Sequence, residues 1–105
     1  MDSDRELLEL AAKAAGIEGE IKKTFGGWLC VMRKNGHAWQ PMHDDGDALR
    51  LAVDLDFDIE LTEDAAWAGG INSQNHQLYE WHRNCKYAAT RRAIVGAAAS
   101  IGASL

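Results

Sequence analysis

The sequence predicts an α+β fold: three helices and an antiparallel sheet of about four strands, in the order α-ββ-α-ββ-α, with the helices on one face of the sheet. Three observations carry this. Apolar residues recur at helical spacing in three stretches, each preceded by a residue able to cap a helix. Asn35-Gly36, flanked by strand formers, marks a hairpin. Residues 54–61 alternate acid and apolar without a break. At 105 residues the chain is expected to be a single domain over 1–105, around one core.

The first helix is expected over about residues 4–15. Ser3 and Glu6 have the spacing of a capping box, and Leu7, Leu8, Leu10, Ala11, Ala14 and Ala15 form an apolar stripe. Gly16 or Gly19 can end it. Residues 20–26 are a connection or a short strand, broken by Gly26-Gly27. The strand formers Trp28–Met32 then pair with His37–Gln40 across the Asn35-Gly36 turn, which would pack Trp28 on Trp39. Pro41, the only proline, closes that strand.

Asp44 is the expected cap of the second helix, with Asp47 three residues on. Ala48, Leu49, Leu51, Ala52, Val53 and Leu55 form its apolar side. The alternation that follows puts Phe57, Ile59 and Leu61 inward, with Asp56, Asp58 and Glu60 in a row on the other face. Thr62–Gly69 continues or reverses that strand. Gly69-Gly70 and Asn72-Ser73 mark the next turn, and Gln77–His82 returns. Asn84 can cap the third helix, from about Lys86 to Ser104. Its uncharged, small-residue end suits close packing, in the core or against a second copy in a homodimer.

Hydrophobic residues at 47% argue against disorder. The formal charge of −5 argues against a general, phosphate-seeking nucleic-acid binder. No apolar run reaches membrane-spanning length, and the first residues lack the pattern of a signal peptide. Two cysteines are too few for a disulfide framework, so the expected compartment is a reducing cytoplasm. The charge is segregated: residues 44–64 hold nine acids against Arg50 alone, and residues 65–105 hold Glu80 against Arg83, Lys86, Arg91 and Arg92. These segments either form an acidic face and a basic patch or neutralise each other in the fold.

Chemistry is thinly represented. His37 and His43, like His76 and His82, are six apart, and Cys30 and Cys85 stand alone, so no metal site and no cofactor is expected. Cys85, between the cationic neighbours Arg83 and Lys86, is the more reactive thiol; Cys30 lies in an apolar strand. No catalytic constellation is recognisable. Asp44-Asp45-Gly46-Asp47 lacks the ligand order of a calcium loop and reads as helix capping. The row Asp56, Asp58 and Glu60 reads either as a solvated, aggregation-resistant edge or as a surface for a basic partner. Trp67, Tyr79 and Trp81 gather around the second hairpin beside Arg83, residue types enriched at interfaces and equally at home in a core. Arg91 and Arg92 offer a weak anion site, or one of them pairs with the acids of the second helix while the other faces solvent.

Two segments resemble a known group. Trp39-Gln40-Pro41-Met42-His43-Asp44-Asp45-Gly46-Asp47-Ala48-Leu49-Arg50-Leu51-Ala52 resembles the W-x-P-x-x-D-x-x-D-A-x-x-L signature of small proteins encoded by phages and prophages of proteobacteria. Tyr87–Ala99 resembles their C-terminal helix, and Glu6–Ile17 also fits. The resemblance covers about half the chain and implies a genetic context, a phage in its bacterial host, rather than an activity. In that context small acidic domains bind and disable host proteins, defence systems among them.

The first functional expectation is therefore a non-enzymatic accessory protein that binds a host or phage protein. Its candidate binding residues are Asp56, Asp58, Glu60, Trp67, Tyr79, Trp81, Arg83, Arg91 and Arg92. The alternative is a protein that binds or sequesters a small anionic ligand such as a nucleotide. A third is a small enzyme using Cys85 or a histidine.

Overall fold

Three helices and two three-stranded antiparallel sheets make up the computed structural model, which describes residues 4–70, 78–81 and 85–105. The expected α+β class and its order of helices and hairpins are observed. The strands, however, divide between two sheets, and each expected hairpin gains a third strand.

Helix α1 (Asp4–Ala15) runs over the expected residues and buries Leu8, Ala11 and Ala12. Residues 20–23 form β1 (Glu20–Lys23), which pairs with β2 (Leu29–Met32). The reversal between them is fixed by Thr24, whose amide donates to the Trp28 carbonyl at 2.8 Å, and by Gly27 at a φ of 86° that only glycine adopts readily. Across the Asn35-Gly36 turn β2 pairs with β3 (Ala38–Trp39), giving the order β1-β2-β3. Trp39 is buried. Trp28 is exposed, one residue before β2, and stacks on His43 at 4.8 Å rather than on Trp39.

Helix α2 (Asp45–Asp54) is capped by the Asp44 side chain, as expected. Asp54 still belongs to this helix, and Asp56 takes a left-handed φ of 55°, which aspartate tolerates better than most residues. The strand therefore starts later than the alternation does. It is β4 (Phe57–Leu61), and Asp56 lies in the turn before it. Thr62 then reverses the chain, its hydroxyl accepting from the Ala65 amide at 3.0 Å, into β5 (Ala65–Gly70). The third strand is β6 (Leu78–Trp81), so the order is β4-β5-β6. The Asn72-Ser73 turn lies outside the described residues.

Helix α3 (Lys86–Ala103) is the hub of the core. It packs on α1, α2 and the second sheet, and buries Ala89, Ala93, Ile94, Val95, Ala97, Ala98, Ala99 and Gly102. Small side chains let α1 and α3 approach backbone to backbone: a Cβ on Gly102 would collide with the Leu10 carbonyl. The small-residue face is thus covered within the chain. The cap of α3 is Cys85 rather than Asn84, its Sγ accepting from the Ala88 amide at 3.5 Å. No helix among the described residues is long and apolar enough to cross a membrane.

Candidate functional site

The acid-rich segment 44–64 splits into two parts with different surroundings. In the first part carboxylates work inward. Asp47 is 1% exposed and collects three donors: the Gln40 amide at 3.0 Å, Arg50 Nη2 at 2.9 Å and His37 Nε2 at 3.1 Å. Burial pushes its carboxyl up, but the bonds from the Gln40 amide, Arg50 and His37 outweigh burial and hold it below the usual carboxylate value. Asp44 accepts from the Asp47 amide at 2.8 Å, satisfying a free N–H of the first turn of α2. Asp45 meets Arg91 Nη1 at 2.6 Å, while Arg91 Nε donates to the Met42 carbonyl at 2.9 Å. These residues tie the β3–α2 connection to α3.

In the second part side chains face outward. Asp56, Asp58 and Glu60 are all exposed. The strand register sets Asp58 opposite Gly69 and Glu60 opposite Trp67, and Trp67 in turn opposite Tyr79, so one row crosses all three strands. Asp58, Glu60 and Trp67 border a hollow of about 130 Å³, floored by Ala68 and Gly69. Ala65 stands opposite Trp81. Asp58, Glu60, Trp67, Tyr79 and Trp81 thus belong to one sheet, with Asp58 and Glu60 on its edge strand, whereas Asp56 lies in the turn before β4 and drops out of the expected row.

The apolar residues of α2, β4 and the start of α3 do not all go inward. Leu49 is 57% exposed, Val53 65%, Leu61 63%, Tyr87 70% and Ile59 37%. Four of these, Leu49, Ile59, Leu61 and Tyr87, line one groove of about 280 Å³ between α2, β4 and α3, with Ala48 and Ile94 at its base. This corrects the expected placement of Leu49 and Val53 on the buried side of α2, and of Ile59 and Leu61 inside the sheet. Ala48, Leu51, Ala52 and Leu55, at i, i+3, i+4 and i+7, already complete the inward face of α2. Leu49 and Val53 form a second stripe, and that surplus is visible in the sequence. The exposure of Ile59 and Leu61 has no such sign, because α3 packs under β5 and β6 more than under β4.

The basic candidates are engaged elsewhere. Arg91 pairs with Asp45 of α2, and Arg92 Nη2 meets Asp4 of α1 at 3.2 Å rather than facing solvent alone. Arg83, His76 and His82 lie outside the described residues. His43, stacked on Trp28, is held below the usual histidine value by burial and by Arg91 and Arg92, against the pull of Asp4. Cys30 is buried, and Cys85 is exposed at the start of α3. Among the described residues no three His, Cys, Asp or Glu side chains gather as metal ligands would. The chain matches no protein-family model, no curated protein and no solved structure.

Proposed function

We propose that this protein works by binding another protein, and that the binding surface is the flank formed by α2, β4 and the start of α3. The observation that carries the reading is the groove. Leu49, Ile59, Leu61 and Tyr87 stand exposed around one apolar depression, although helix and strand periodicity would have allowed most of them to be buried. Exposed apolar clusters of this kind mark interaction sites, because leaving them in water forfeits about 25 cal/mol for each Å² that a partner would cover. Exposed carboxylates on the same strand would suit a positively charged surface. The resemblance of residues 39–51 to the phage signature supports a host or phage protein as the partner. The setting would be the bacterial cytoplasm, and inhibition of a host defence protein one outcome of binding.

The test is affinity capture from bacterial lysate with the wild-type chain and with the double variant Leu49→Glu/Ile59→Glu. Both side chains are exposed, so the variant should keep its circular dichroism spectrum and melting temperature. The reading expects a specific protein captured by the wild type and lost by the variant. Equal capture by both would move the interface elsewhere, and the absence of any enriched protein would count against protein binding.

A further inference from the structure

The groove and the acids lie on either side of one strand, and that strand is an edge. β4 pairs with β5 and with no other strand among the described residues. In an antiparallel ladder the bonds of alternate residues point away from the neighbour, so the outer side of β4 carries N–H and C=O groups with no strand partner among the described residues. Asp58 and Glu60 project on one face of this edge, and Ile59 and Leu61 project on the other, over the groove.

We propose that the outer edge of β4 is a docking strand that takes an extended segment of the partner protein, in which lysines or arginines alternate with apolar residues. This rests on the protein-binding reading and names the chemistry of the partner. A strand added about 4.8 Å beyond β4 would lie above the gap between β4 and α2. Its apolar side chains would descend toward Leu49, Tyr87 and Ile94, and its cationic side chains would stand opposite Asp58 and Glu60. Backbone bonds supply attraction and the two faces supply selectivity, as in other recognition by strand addition. The same carboxylates argue against a second copy as the occupant, since β4 against β4 would bring acid against acid.

The test uses the full chain and a short fluorescent peptide of alternating lysine and valine, with a glutamate–valine peptide as control. Fluorescence anisotropy should show the lysine peptide binding and the glutamate peptide failing. Hydrogen exchange should show new protection concentrated in β4. The variant Asp58→Lys/Glu60→Lys should weaken the lysine peptide by roughly tenfold or more, since each cross-strand pair contributes up to about 1 kcal/mol and is replaced by repulsion. The same variant should gain affinity for the glutamate peptide.

Failure of the lysine peptide to bind would overturn the proposal. So would equal affinity for both peptides, indifference to the charge reversal, or protection outside β4. A dimer seen by light scattering and abolished by Ile59→Glu would put a second copy in the groove instead. A captured cellular partner lost with Leu49→Glu/Ile59→Glu but retained by Asp58→Lys/Glu60→Lys would overturn the docking strand and leave the protein-binding reading standing.

Discussion

The buried side of the connection from Trp39 through Leu51 and the flank formed by Leu49, Val53 and residues 56–61 are neighbours in sequence and opposites in use. In the connection Trp39, Pro41 and Leu51 are buried, and the carboxylates of Asp44 and Asp47 are consumed by backbone amides, His37 and Arg50. In the flank Val53, Ile59 and Leu61 are exposed, and so are Asp56, Asp58 and Glu60. Residue types are similar in the two regions. The difference lies in what stands opposite them: α3 packs on α2 and holds the connection through Arg91, whereas it packs under β5 and β6 more than under β4. A charge run is therefore not one feature: here Asp44, Asp45 and Asp47 tie the fold together, while Asp56, Asp58 and Glu60 stay exposed.

The comparison is broken most sharply by leucines two residues apart. Leu51→Ala should cost about 2–5 kcal/mol, the range for a buried leucine that leaves a cavity, whereas Leu49→Ala should stay within about 0.5 kcal/mol. Urea denaturation of the two variants measures this, and similar losses would mean that both side chains lie in the core. Next in size are the acids. Asp47→Ala strands the Gln40 amide and should cost about 1–3 kcal/mol, while Asp58→Ala should change stability by less than about 0.5 kcal/mol.

The same carboxyl gives a pH signature. Because the folded state holds Asp47 below its ordinary value, its contribution is complete above about pH 4 and is lost as pH falls through the lower folded value. Asp47→Asn should flatten that part of the acid-denaturation profile, and Asp58→Asn should leave it intact. The smallest effect concerns His43. Its lowered value means that the unfolded chain takes up the proton first, so stability declines as pH falls through about 6.5. His43→Gln should remove that shallow slope in melting temperature against pH.

Much of the fold was legible because local signals act alone. The apolar stripe of α1, the Asn35-Gly36 hairpin and the Asp44 cap each need only a few neighbouring residues. What escaped depends on tertiary placement. Alternation over 54–61 gives two faces for a strand but does not say where the helix before it stops. The left-handed turn at Asp56 delays β4 to Phe57. Nor does alternation say what covers the apolar face, and Ile59 and Leu61 were expected inward for that reason. Leu49 and Val53 carried a readable hint, being surplus to a face already completed by Ala48, Leu51, Ala52 and Leu55. Trp28 gave none, since only the fold brings His43 beneath it. Asp58, Glu60 and Trp67 are candidates on residue type and spacing alone, and the strand register brings them together on one sheet.

The division of the acidic segment is tested most directly by setting partner capture beside thermal melting for two double variants. Asp44→Asn/Asp47→Asn should lower the melting temperature by several degrees, at about 4–8 °C per kcal/mol for a domain of this size, with capture following the folded fraction. Leu49→Glu/Ile59→Glu should melt like the wild type and capture nothing. A Leu49→Glu/Ile59→Glu protein that unfolds as readily as Leu51→Ala, or that folds normally and still holds its partner, would contradict the account.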